Sequence, residues 1–216
     1  LRREIMDLGQ WIVIGLSVVM GVWFAVGSFY NRRRGIGTYR WIQSGLKRLG
    51  KISEAAWIGS SGSGARLTVG KAEAPFRRIE VVFLLESREI LPLWLFNRVR
   101  NKQDEMIIKA GLRSAPGEQI ELSREGDRQA RAMIRGAEGR SFKQIPTQRG
   151  FLLAHRGREN SELAGRVNAF LGRYPQAIRR VSIQRQKPHL MIRVDLPGLL
   201  NGSAEEFFEG LHEVLK

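Results

Sequence analysis

The sequence predicts an α+β protein: one N-terminal transmembrane helix followed by a soluble α+β domain with mainly antiparallel sheet. Three observations predict it. Leu8 to Asn31 is an uncharged run of 24 residues, longer than the roughly 20 apolar residues a helix needs to cross a bilayer core. Behind it, short β-branched and apolar runs are separated by Gly, Pro and Ser turns, the pattern of antiparallel strands. Two later segments, 161–174 and 203–215, carry apolar residues at helical spacing behind capping residues.

The apolar run comes first. In lipid only a helix satisfies every backbone polar group within one segment. Trp11 and Tyr30 stand where interfacial aromatics usually stand. Ser17, Gly21, Ala25 and Ser28 share a face, and small residues at that spacing let a second helix approach closely. Ala25-Val26-Gly27 loosely resembles a cleavage site, but the length of the run and the arginines behind it argue for a retained anchor.

Residues 32–50 form a basic flank. Arg32, Arg33, Arg34, Arg40, Lys47, Arg48 and Lys51 stand without an acid between them, and net charge over the whole chain is +15. By the positive-inside rule this flank stays cytoplasmic and the N-terminus lies outside, which places the protein in the plasma (inner) membrane. Gly35 and Gly37 suggest a bend. Beyond it, Tyr39, Ile42, Leu46 and Leu49 oppose Arg40, Lys47 and Lys51, which reads as a separate amphipathic helix lying among anionic headgroups or, as the alternative, a short helix packed on the soluble domain. The seven bases are the expected lipid contacts, each contributing about 1 kcal/mol near anionic lipid.

The domain fills 51–216. Strands are expected at 51–58 and 65–71, joined by a flexible loop, Gly59-Ser60-Ser61-Gly62-Ser63-Gly64. That loop lacks the Gly-Lys-Ser/Thr ending of a phosphate loop. Residues 77–86 read as a central strand. Residues 87–102 read as a helix with Pro92 in its first turn, its Trp, Leu and Phe side chains forming a buried face or, as the alternative, a second membrane-contacting patch. A strand at 104–112 turns at Ala115-Pro116-Gly117 into a returning strand at 119–123. Residues 127–135 suit a short helix or a strand. Strands follow at 141–145 and 150–155, then a helix at 161–174 capped by Asn160 or Ser161. A hairpin pairs 177–184 with 189–196, and a last helix opens on Ser203 with Glu206 in a capping box. Strand–helix–strand–strand–helix fits both 77–136 and 149–215, so halves at 51–140 and 141–216 are a possible internal duplication.

Composition bounds the chemistry. There is no cysteine, which excludes disulfides, thiolate catalysis and cysteine-ligated metals. The three histidines stand far apart, without metal-ligand spacing, so no metal, cofactor or catalytic residue is assigned. Arg180, Ser182, Gln184, His189, Arg193 and Asp195 alternate onto what reads as an exposed sheet surface. The expected role is a scaffold, assembly or accessory-subunit protein. It would contact anionic lipid and a membrane-protein partner, or self-associate through the anchor. The alternatives are a membrane-tethered enzyme or, less favoured, a nucleic-acid-binding protein, for which no aromatic RNA-binding pattern or zinc finger is present.

Overall fold

A computed structural model describes residues 7–135, 142–157 and 161–216. The chain opens with a helix, α1 (Leu8–Leu46), of 39 residues. Then come strands β1 (Gly50–Trp57), β2 (Gly64–Ala72) and β3 (Phe76–Leu84), helix α2 (Leu91–Val99), and strands β4 (Glu105–Leu112) and β5 (Gln119–Arg124). Helix α3 (Arg128–Arg135) and strands β6 (Lys143–Ile145) and β7 (Phe151–Arg156) follow. Helix α4 (Glu162–Arg173), strands β8 (Ile178–Ile183) and β9 (Leu190–Asp195), and helix α5 (Ala204–Leu215) complete it. Part of the segment expected as β6, Ser141, and the alternative cap Asn160 lie outside the described residues.

The strands join one nine-stranded antiparallel sheet in the order β1-β2-β3-β4-β9-β8-β5-β7-β6. Period-2 alternation turns Ile79, Val81 and Phe83 of β3, Met106, Ile108 and Ala110 of β4, and Leu190, Ile192 and Val194 of β9 to one face, where all are buried. On that face lie α4, α5 and the C-terminal part of α1. Phe207, Phe208 and Leu211 of α5 and Ile42 and Leu46 of α1 enter the same apolar cluster. Ser161 caps α4 by accepting from the Ala164 N–H at 3.0 Å, and Ser203 caps α5 by accepting from the Glu206 N–H at 3.3 Å.

Three expectations change. The bend at Gly35–Gly37 is absent and α1 runs unbroken through both glycines. The separate surface helix of residues 38–51 therefore does not form. Ile42, Gly45, Leu46 and Leu49 are buried in the domain, and that burial outweighs the glycine preference for a break. Trp41 donates its indole N–H to the Gly202 carbonyl at 2.8 Å. Gly45 touches α5 so closely that a Cβ would sit 2.4 Å from Phe208 Cδ2 and 2.8 Å from the Ala204 carbonyl oxygen.

The second change concerns β4 and β5, which do not form the expected hairpin. β4 pairs with β3 and β9, and β5 with β8 and β7. The β9–β8 hairpin stands between them, so residues 113–118 must bridge three strand spacings, about 14 Å. Six residues reach about 20 Å when extended, so the link is long enough. Arg185, in the β8–β9 turn, donates to the Gly117 carbonyl at 2.9 Å and pins the link down. The two segments keep the expected element order but not one pairing pattern: β3 pairs with β4, whereas β7 does not pair with β8.

Third, the predicted burial of the α2 apolar side chains is not observed. Leu93, Leu95, Phe96 and Val99 are exposed, Val99 at 83%. α2 lies outside the helix layer and packs beside α1, where no second element covers its outer face among the described residues.

Gly45→Val tests the core role of α1. Its side chain cannot fit against the α5 backbone, and overpacking costs about 1–3 kcal/mol. A lower thermal midpoint of the detergent-solubilised protein is expected; an unchanged midpoint would show that α1 does not pack there.

Candidate membrane interface

The exposed half of α1 and the structure that grips it make the most distinctive surface of the molecule. α1 is long and apolar enough to cross a membrane. From Leu8 to Val26 every residue is exposed except the half-buried Met20 and Trp23. Those 19 residues rise about 28 Å at 1.5 Å each, close to the roughly 30 Å hydrocarbon core of a bilayer. At the helix start, Gln10 accepts the Asp7 N–H at 3.1 Å.

Burial begins at Gly27 and continues through Asn31, Gly35, Thr38, Ile42 and Gly45. The spacing of three and four residues keeps these on one face. Two loops close on this stripe. A Cβ on Gly27 would meet the Arg88 carbonyl oxygen at 2.6 Å, and one on Gly35 would meet the Ser61 carbonyl oxygen at 1.8 Å. Only glycine permits either approach. The Gly/Ser loop expected to be flexible is thus docked on α1, with Ser63 accepting the Leu85 N–H at 2.8 Å.

A polar joint locks the contact. Asp104, wholly buried, receives Arg34 Nε at 2.6 Å, Arg88 through two nitrogens at 3.0 Å each, and the Glu86 N–H at 2.8 Å. Asn31 donates to the Glu86 carbonyl at 2.8 Å and to Glu89 at 3.1 Å, and accepts from Arg88 at 3.0 Å. Arg88 also lies 5.5 Å from the Tyr30 ring centroid. Above this joint, Trp23 donates to the Arg88 carbonyl at 2.8 Å, and its ring stands 5.2 Å from that of Trp94 in α2.

The predicted site residues separate on this frame. Ser17, Gly21 and Ala25 are exposed and Ser28 half-buried. The Ser17 hydroxyl bonds back to the Val13 carbonyl at 2.8 Å, and a Cβ on Gly21 would meet open space. At about 100° per residue this face lies about a quarter turn from the buried stripe, so docking of the domain leaves Ser17, Gly21 and Ala25 free, while Ser28 borders the 60–62 loop and Glu89. Among the expected lipid contacts, Arg32 and Arg33 are exposed beside the joint. Arg34 instead pairs with Asp104, and Arg48 stands 3.5 Å from Glu205. Because α1 does not bend, Lys47 lies about 22 Å along the axis from Arg32. Arg40, Lys47, Arg48 and Lys51 are exposed alongside the domain.

The sheet face expected to be exposed is largely covered. Arg180, Ser182, His189 and Asp195 are buried, and Gln184 and Arg193 half-buried. Arg180 pairs with Glu121, Arg179 with Asp195, and Arg193 with Glu105 at 3.0 Å. These pairings fold the arginines down onto the interior strands of the sheet. His189 accepts the Leu112 N–H at 3.0 Å. It stands at the opposite end of β9 from Asp195, about 20 Å away along the strand, so the two do not converge on one site. Asp195 lines an open cleft of about 590 Å³ with Gln103, Arg124, Arg149 and Gln176. Burial raises the Asp195 pKa, opposed by Arg179 and Arg124. Burial also raises that of Glu121, opposed by Arg180. Among the described residues no group of His, Asp and Glu is placed to hold a metal ion. No protein-family model and no curated protein matches the chain.

The joint itself was missed by sequence reasoning. In the sequence Asn31 reads as the end of the apolar run, Gly35 as a bend, and Asp104 as the residue between two strong elements. A polar Asn at the end of an apolar run, on one face with Gly27 and Gly35, was the signal available.

Two outcomes are expected. Asp104→Ala leaves two arginines facing a buried void, and breaking such a pair costs about 3 kcal/mol. The solubilised protein should melt lower and become more susceptible to proteolysis between α1 and β4; wild-type protection would deny the joint a stabilising role. The raised carboxyl pKa of Glu121 contributes stability that is fully present below the ordinary Glu range and lost as pH rises through the elevated value. Glu121→Gln, compared with wild type across mildly acidic to neutral pH, should flatten that part of the stability profile.

Proposed function

We propose that the chain is a single-pass protein of the plasma membrane, N-terminus outside and C-terminal domain cytoplasmic. Its role is that of a scaffold, assembly or accessory subunit. The observation that supports this best is the continuity of α1. One helix is both the apolar segment and a core helix of the domain, so the domain has no hinge at its root. A rigid mount suits a protein that presents a surface to a membrane partner at fixed height and orientation. The separation of His189 from Asp195 along β9 favours this binding role over catalysis at the sheet face.

Two surfaces serve it. The Ser17–Gly21–Ala25–Ser28 face, open from Ser17 to Ala25 and bordered by the domain at Ser28, receives a second helix, another copy or a different membrane protein. Arg32 and Arg33 stand where α1 leaves the apolar region and hold anionic headgroups, and the positive-inside rule sets the orientation from the same residues.

Crosslinking in native membranes, gentle detergent extraction and identification of co-purifying chains is the test. Gly21→Leu blocks close helix approach and should weaken association by about 1 kcal/mol, roughly fivefold. Val22→Leu, on a different face, should not. Equal crosslinking of wild type and Gly21→Leu would rule out this face as the contact.

A further inference from the structure

We infer that α2 is a second membrane element, lying in the leaflet on the domain side with its apolar face among acyl chains. The inference rests on α1 being a membrane span and goes beyond it, because an anchor alone requires nothing of α2. The decisive geometry is the attachment of α2 within the uncharged run of α1. Trp23, four residues before the first buried position Gly27, contacts Trp94 and the Arg88 carbonyl. Four residues are about 6 Å of helix. The exposed side of α2 therefore stands at the level of α1 residues that face lipid, about the 5–10 Å depth at which interfacial helices lie.

The chemistry of α2 fits that position. Leu93, Leu95, Phe96 and Val99 are 40, 51, 53 and 83% exposed, and Ile90 just before the helix is 47% exposed. Asn97, on the inner side, is buried. From Ile90 to Gln103 there is no acid, while Arg98, Arg100 and Lys102 follow the apolar residues and are exposed. Arg100 lies over the Phe96 ring, 4.3 Å from its centroid, so the cation sits against the apolar side chain as at a headgroup boundary. Asn101 takes a left-handed φ of 51° and ends the helix. A water-facing helix would leave this apolar surface without a partner. The leaflet beside α1 supplies acyl chains to the apolar residues and phosphates to the bases.

The absence of native cysteine makes the test direct. Single-cysteine variants Leu95→Cys, Val99→Cys, Val18→Cys and Lys71→Cys of the full chain carry an environment-sensitive fluorophore. Each is reconstituted into phosphatidylcholine–phosphatidylglycerol vesicles with acyl chains brominated near the carbonyl or near the terminal methyl. Labels at 95 and 99 should shift to the blue and lose emission mainly to bromine near the carbonyl, with protection from aqueous iodide. The label at 18 should lose emission mainly to deep bromine, and the label at 71 should respond only to iodide. Quenching at 18 with iodide-accessible, bromine-insensitive labels at 95 and 99 would overturn the α2 inference and leave the anchor standing. An unquenched label at 18 would overturn both.

Discussion

One helix carries two kinds of surface, and the rest of the molecule is arranged around the change from one to the other. The first half of α1 is apolar on all sides, long and apolar enough to cross a membrane. The second half is apolar on one face only, because the other faces water. At the change-over the side chains Asn31, Arg34, Arg88 and Asp104 meet, and their mutual bonds are what allow a charged group to be buried so close to the apolar run. Gly27 and Gly35 let the 85–90 and 59–63 segments touch the helix backbone. Side chains there would hold those segments away and leave the joint open to water.

The sheet follows from this mounting. Its helix layer, α1, α5 and α4, covers one face, and the aromatic contacts of Phe170, Tyr174, Phe207 and Phe208 tie α4 to α5. The opposite face keeps its polar side chains by pairing them, Arg180 with Glu121 and Arg179 with Asp195. The β8–β9 hairpin in the middle joins the β1–β4 block to the β5–β7 block. Nine strands thus act as one body hung from a single helix.

Much of this was legible in order along the chain. The spans of β3, β4, α4, β8, β9 and α5 agree with their sequence patterns within a few residues, because alternation and capping are local properties. The long apolar helix was legible from length and the absence of charge. The joint was not. Asp104 gains its meaning only from Arg34 and Arg88, some 70 and 16 residues away, and no local pattern records which arginine of a basic cluster finds a carboxylate. The same holds for Arg180 and Asp195, where alternation gave the face but not its cover. In α2, a run of Leu, Trp and Phe looks the same whether it faces a protein core or lies on a surface.

By itself the amino-acid sequence determined the kinds of element and their order, and it marked out one segment suited to lipid. Those depend on neighbours within a turn or two of chain. Only the tertiary structure decided that α1 passes its glycines without bending, that β9 and β8 separate β4 from β5, and that α2 is left uncovered beside Trp23. Each of these depends on which distant surfaces meet, and the contact energy of a buried seam exceeds the modest local preferences of the residues that compose it.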